Sequence, residues 1–213
     1  MPLAIKPRQT VLFIGDSITD CGRRDGAAPL GNGYVRIISE LLRASHPAMN
    51  TTIINKGISG NTVPDLEGRW YDDVIRFKPD WVSVKIGIND LHRYLGNAQG
   101  AFGPEDYAAG YDRILGRVAA ETNAKLILID PFYISQEKDA DSQRGRVLKL
   151  IPKYIATVEK LARKYKAKRV RTHDLFQKTL QHCPADALCP EPVHPYASGH
   201  TVIAHGWLKA LGW

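Results

Sequence analysis

Cysteine is scarce in this chain: Cys21, Cys183 and Cys189 are its only three in 213 residues. An odd and sparse set fits neither a disulfide scaffold nor the repeated Cys/His spacing of a structural zinc site. Cys183 and Cys189 lie close in sequence and are expected to stay reduced. Long apolar runs are missing too. The first, residues 11–14, ends at Gly15 and Asp16 and is too short for a signal-peptide core or a membrane span. The chain therefore reads as soluble and cytoplasmic, with no membrane partner. No repeat, low-complexity tract or linker divides it, and 44% hydrophobic content supports one sizeable core. Residues 1–213 are read as a single domain.

Acid is absent from one stretch. Residues 160–171, KLARKYKAKRVR, hold seven basic residues and no carboxylate, and account for much of the formal charge of +7. Without an accompanying motif of interleaved aromatics this is read as a solvated helix end running into an edge strand, not as a nucleic-acid surface.

What is present is an alternation of short β-branched or apolar runs with longer amphipathic stretches, the pattern of a parallel sheet covered by helices. Strands are expected at 11–14, 52–55, 81–86, 126–129 and 169–172, all nearly continuous apolar runs of the buried parallel kind. Helices are expected at 34–43, 64–76, 104–121, 143–165, 174–181 and 197–211. In the fourth of these, Val147, Leu148, Ile151, Ile155, Val158 and Leu161 form one apolar stripe. Gly- and Pro-rich segments follow the first four strands: GDSITDCG, GISGN, GIND and PFY. In an open parallel sheet that edge is where ligands bind, so four segments converge on one rim.

Ser17, in Gly15-Asp16-Ser17, stands where a strand turns into a helix, which aims its hydroxyl out of the sheet edge. Alone, GDS is equally a turn and helix cap. A nucleophilic serine needs a base, and His194 lies near the other end, in a loop stiffened by Pro192 and Pro195. The base in turn needs a group on its other nitrogen. Glu191, three residues earlier, is the local candidate, and a backbone carbonyl is the alternative. His200 competes for the role of base but lies within the last helical stretch and is read as structural. Acyl transfer also needs donors at the developing oxyanion. The Asn89 amide and the backbone N–H groups of Gly60 and Ser17 qualify, and Gly60 has no Cβ to crowd an acyl oxygen.

Taken together and in order, GDSITD, NKGISGNT, IGIND and VHPYASGH resemble the four signature blocks of the SGNH hydrolases, also called GDSL esterases and lipases. That resemblance implies Ser17 as nucleophile, Ser17, Gly60 and Asn89 as oxyanion donors, and His194 as base. It also implies a flavodoxin-like three-layer α/β/α sandwich on a five-stranded parallel sheet of order 2-1-3-4-5. The longer strings FIGDSITDCGR, NKGISGNT and KPDWVSVKIGIND resemble the intracellular acetylxylan esterases among the bacterial members. One departure stands out: the family pattern has Asp three residues before the histidine, where this chain has Glu191.

The chemistry implied is ester hydrolysis through an acyl-enzyme, with no metal or organic cofactor, on a small acetylated carbohydrate. The alternatives are a lysophospholipase or thioesterase of the same superfamily, and a catalytically silent carbohydrate-binding module. Asp16, Tyr34, His92, Arg93, Tyr94 and Tyr133, at or just after strand ends, are expected to meet the sugar. The resemblance further suggests a homo-oligomer. Trp207 and Trp213 offer aromatic anchors for one, or caps for the chain's own core.

Overall fold

The computed structural model describes residues 3–213. Five strands, β1 (Thr10–Gly15), β2 (Thr52–Asn55), β3 (Trp81–Lys85), β4 (Lys125–Ile129) and β5 (Lys168–Val170), form one parallel sheet in the order β2-β1-β3-β4-β5. The register brings Gly15 opposite Lys85 and Phe13 opposite Asn55. Every residue of β3 is buried, as is all of β1 after Thr10, because helices cover both faces of the sheet.

The helices are α1 (Ser17–Asp20), α2 (Tyr34–Ser45), α3 (Val63–Gly68), α4 (Trp70–Asp73), α5 (Ile88–Leu95), α6 (Pro104–Glu121), α7 (Gln143–Lys164), α8 (Thr172–Thr179) and α9 (Ala197–Ala210). Helices α2 and α8 both pack on α9, and α3, α5, α6 and α7 form a second group. The sheet lies between them, giving the expected α/β/α sandwich. On the first face Trp207 of α9 is fully buried, its indole N–H donating to Ser83 Oγ at 3.0 Å and its ring 5.2 Å from that of Phe13. Trp213, by contrast, is exposed beside His46. The stripe expected on α7 faces inward at Val147, Ile151, Val158 and Leu161, with Leu148 and Ile155 half-buried.

Three local differences from the sequence-based expectation have physical causes. The helix expected over 64–76 is two helices broken at Arg69, whose guanidinium binds Asn61 Oδ1 at 2.8 Å, Lys56 O at 2.9 Å and Asp73 at 2.6 Å. The GIND segment is not a loop: Gly87, at φ +128°, ends the strand and α5 starts directly. The last strand stops at Val170 because Thr172 already begins α8, its hydroxyl donating to Asp130 O at 2.5 Å.

The basic stretch 160–171 meets acids from elsewhere in the chain. Lys164 pairs with Asp112, Arg169 with both Asp130 and Glu159, Arg163 with Glu159 and Arg171 with Asp174. Cys21, Cys183 and Cys189 are free thiols.

Candidate active site

Asp16 is the N-cap of α1: its Oδ1 accepts the Ile18 N–H at 3.1 Å, which frees the chain to turn sharply after β1 and leaves Ser17 at the first helical position. Ser17 is half-buried at the carboxyl edge of the sheet. Its Oγ lies 2.8 Å from His194 Nε2, a contact between residues 177 positions apart. His194 Nδ1 is in close contact with Glu191 Oε1. A carboxylate there accepts a hydrogen bond from Nδ1–H and so holds the hydrogen on that nitrogen, which leaves Nε2 unprotonated and able to accept from the serine.

The extra methylene of Glu191 is absorbed locally. Its carboxylate folds back over its own loop, accepting the Val193 N–H at 2.9 Å and the His194 N–H at 2.8 Å as well as the ring nitrogen. Burial raises the Glu191 carboxyl, but these backbone donors and His194 outweigh it and the net shift is downward. The loop is pinned to the segment after β4 by Ile134 N–H donating to Pro192 O at 2.8 Å. His200, the alternative base, is buried on α9. Its Nδ1 accepts the Tyr34 N–H at 3.3 Å and burial pushes its pKa down to about 4, which suits a structural ring.

Gly60 has φ +80°, a conformation that favours glycine, while a Cβ built there meets nothing within 4 Å. Backbone geometry, rather than crowding within the chain, is therefore what calls for glycine. Among the described residues, neither the Ser17 N–H nor the Gly60 N–H donates to a protein acceptor. Asn89 Nδ2 gives one hydrogen to Asn61 O at 2.9 Å, which orients the amide and leaves its second hydrogen free.

The expected sugar contacts divide. Asp16 is fully buried and pairs with Lys85, whose Nζ lies 3.1 Å from Oδ2 and 3.3 Å from Oδ1; it faces the interior, not a ligand. Tyr34 is likewise fully buried, its hydroxyl 3.0 Å from Thr19 Oγ1. Both belong to the support beneath the serine: Asp16 caps α1, and Tyr34, at the start of α2, holds Thr19 within it. Tyr133 is nearly buried, with its ring edge-on to His92 at 6.0 Å, and both feel the Glu191 charge. Burial lowers the His92 pKa. Arg93 and Tyr94 are exposed, and Arg93 Nη2 reaches Gly60 O at 3.3 Å.

Several supports were not read from the sequence. Lys85, inside VSVKIG, carries a charged head into the core beneath Ser17, where burial pushes its pKa down against the pull of Asp16. Asp20 accepts both the N–H and the hydroxyl of Ser59 at 3.0 Å, joining α1 to the loop after β2. Asn55 Nδ2 holds Thr19 O at 2.7 Å and Leu30 O at 2.8 Å. Lys85 was signalled by a charge inside an apolar run, and Asn55 by a polar residue ending one; Asp20 carried no local signal.

Comparison with known proteins agrees with this geometry. A profile of the GDSL-like lipase/acylhydrolase family matches residues 13–202. The chain is 38% identical to an acetylxylan esterase of Geobacillus stearothermophilus, over 96% of this chain and 94% of that protein. The crystal structure of that esterase superposes with a TM-score of 0.89 at 36% identity, covering 99% of this chain and 97% of the other. Solved forms of it include catalytic mutants in which a serine, an aspartate and a histidine three residues after that aspartate are each replaced by alanine. An α/β hydrolase from the metagenome of Lake Arreo, Spain, matches with a TM-score of 0.88 at 31% identity, over 99% of this chain and 98% of that one.

Proposed function

The chain belongs to the GDSL-like lipase/acylhydrolase family, and from that premise we propose that it is a serine esterase that removes acetyl groups from short acetylated xylo-oligosaccharides through an acyl-enzyme on Ser17. The observation that carries the reading is the 2.8 Å contact of Ser17 Oγ with His194 Nε2, with Glu191 on the other ring nitrogen.

His194 takes the Ser17 proton as the hydroxyl attacks the ester carbonyl, and Glu191 stabilises the imidazolium that results. The oxyanion is met by the free N–H groups of Ser17 and Gly60 and by the second amide hydrogen of Asn89. The imidazolium then protonates the departing sugar oxygen, the C–O bond breaks, and acetyl remains on Ser17. Water, deprotonated by the same ring, attacks that ester, releases acetate and returns the proton to serine. The carbohydrate substrate is supported by the name of the Geobacillus relative and by its catalytic mutants, whose aspartate has the spacing of Glu191 to His194. Among the sugar-contact candidates, the nearness of His92 to His194, of Tyr133 to His92 and of Arg93 to Gly60 supports a place at this rim, and Tyr94 is exposed on the same helix as His92 and Arg93.

The chain acts as one catalytic unit over residues 1–213. The free thiols of Cys21, Cys183 and Cys189 support a reducing, cytoplasmic setting. The exposed ring of Trp213 supports a homo-oligomer, which analytical ultracentrifugation of the wild type and of Trp213→Ala would test.

The deciding experiment measures turnover of p-nitrophenyl acetate, butyrate and octanoate, and of acetylated xylo-oligosaccharide, by the wild type and by Ser17→Ala. The expected result is acetate release from both acetyl substrates, declining by butyrate and lost in the variant. A preference for octanoate would replace the reading with a lipase or thioesterase one, and a folded wild type without turnover on any ester would overturn it.

A further inference from the structure

Helix α5 does more than present Asn89. Three of its side chains take hold of the loop that carries Gly60: Arg93 Nη2 donates to Gly60 O at 3.3 Å, Asn89 Nδ2 to Asn61 O at 2.9 Å, and Asp90 Oδ1 accepts the Val63 N–H at 2.9 Å. Arg69 grips the same loop from its other side through Asn61 Oδ1 at 2.8 Å. Of the three α5 contacts, Asp90 makes the buried one, with 2% of its surface exposed.

Val63 opens α3, and its N–H is one of the helix's orphan donors. Thr62 N–H is taken by Asp65 Oδ2 at 2.8 Å, and Pro64 has no N–H to give, so Val63 depends on Asp90 for a partner. A carboxylate at that position is also favoured by the dipole of the helix it caps. Its second oxygen, Oδ2, is buried without a partner among the described residues, beside a cavity of about 110 Å³ lined in part by Thr62, Asp65, Arg93 and Phe102. An apolar residue would leave no such orphan, so Asp90 is held there at a cost that its bond to the loop explains.

We propose that Asp90 is a positioning residue of the esterase: through Val63 it fixes the loop that aims the Gly60 N–H at the oxyanion, while the adjacent Asn89 supplies the other donor from the same helix. The inference rests on the assignment of Gly60 and Asn89 as oxyanion donors. It implies that the two donors are held at one spacing by a short circuit of hydrogen bonds, Asn89 to Asn61 and Asp90 to Val63. A displacement of the loop by a fraction of an ångström lowers turnover and leaves substrate affinity almost unchanged.

Burial raises the Asp90 carboxyl to about 6, opposed by its bond from Val63 and reinforced by the charges of Asp16 and Asp65. The other groups facing it are Arg93 on its own helix and the phenols of Tyr107, Tyr111 and Tyr154 on α6 and α7. Below that pH the carboxylate becomes a neutral acid and its grip on the Val63 N–H weakens.

The test compares kcat and KM for an acetyl ester, from pH 5 to 8, in the wild type, Asp90→Ala and Asp90→Asn, with thermal unfolding of each. Asp90→Ala should lower kcat by about 10- to 100-fold with KM within about twofold. Asp90→Asn keeps an acceptor for Val63 and should recover kcat to within about threefold. Its kcat/KM should fall less steeply on the acid side than that of the wild type, since the Asp90 ionisation is gone. A folded Asp90→Ala with unchanged kcat overturns the proposal. If Asp90→Ala does not fold, an Asp90→Asn acid limb identical to the wild type overturns it instead. Wild-type turnover in the same assay separates this outcome from failure of the esterase reading, which would show as no turnover in any form.

Discussion

Replacing Lys85 with methionine removes a charge from directly beneath the nucleophile while keeping the length of the side chain and its place near the Phe132 ring, 4.9 Å from Nζ. Lys85 and Asp16 have no exposed side-chain surface, and among the described residues their contacts of 3.1 and 3.3 Å are the only partners of the ammonium besides that ring. Lys85→Met leaves a carboxylate buried without a counter-charge. Removing one partner of a buried ion pair costs about 3–5 kcal/mol, whereas replacing both by neutral groups is often close to neutral. In a chain of this size each kcal/mol shifts Tm by roughly 2–4 °C, so the single variant should melt roughly 6–20 °C lower. The double variant Asp16→Asn/Lys85→Met should recover most of that loss, because Asn keeps an oxygen for the Ile18 N–H that Asp16 now accepts at 3.1 Å. Urea unfolding followed by circular dichroism gives both free energies, and thermal melts give the order of the three proteins. A single variant as stable as the wild type, or a double variant no better than the single, would refute the argument that Asp16 and Lys85 sustain each other.

Three further outcomes follow from the same structure. Asn89→Ala should lose about 10²- to 10³-fold in kcat with a native fold, since it removes one donor to the oxyanion; wild-type turnover would remove Asn89 from the site. Glu191→Gln should lower kcat by about 10²-fold or more, because an amide no longer stabilises the imidazolium or fixes the Nδ1 hydrogen; kcat within a few-fold of the wild type would show that the backbone alone orients His194. His200, at about 4 in the folded state against 6.5 unfolded, binds its proton later than the unfolded chain does, so its contribution to stability is present above pH 6.5 and lost as pH falls toward 4. Asp90 and Asp130, raised to about 6, change stability in the opposite sense over that range. The measurement is therefore the wild type minus His200→Gln in urea unfolding. That difference should shrink by roughly 2 kcal/mol between pH 7 and pH 5, and a pH-independent difference would refute the assignment of a buried neutral ring.

The fold was readable wherever one local pattern decided an element. Strands β1, β3 and, after Lys125, β4 are apolar runs because a parallel sheet covered on both sides excludes water from its inner strands, whereas the edge strand β2 is exposed at Thr52. Helix α5 was not readable: its opening Ile88-Asn89-Asp90 carries turn-forming residues, and only packing against α7 commits eight residues to a helix. The fracture at Arg69 was hidden for a similar reason, since its partners Asn61, Lys56 and Asp73 become neighbours only after folding.

The same division runs through the site. Ser17 became legible only together with its partners, by its place after a strand and the order of the four blocks; His194 was marked by the prolines around it and Glu191 by its nearness to His194. These depend on backbone conformation over a few residues, which short-range sterics and turn chemistry determine. Which way the neighbouring side chains point is decided by the tertiary structure. Asp16 and Tyr34 turn into the core while His92 and Arg93 stay at the rim. Lys85 is tolerated inside because β1 and β3 bring it opposite Gly15, beside the carboxylate of Asp16. The Ser17 to His194 contact spans 177 positions and exists only because β1 lies inside the sheet, between β2 and β3, and α9 returns to pack across its face. Sequence determined which groups can do the chemistry; their distances and burial come from long-range packing, which no local pattern encodes.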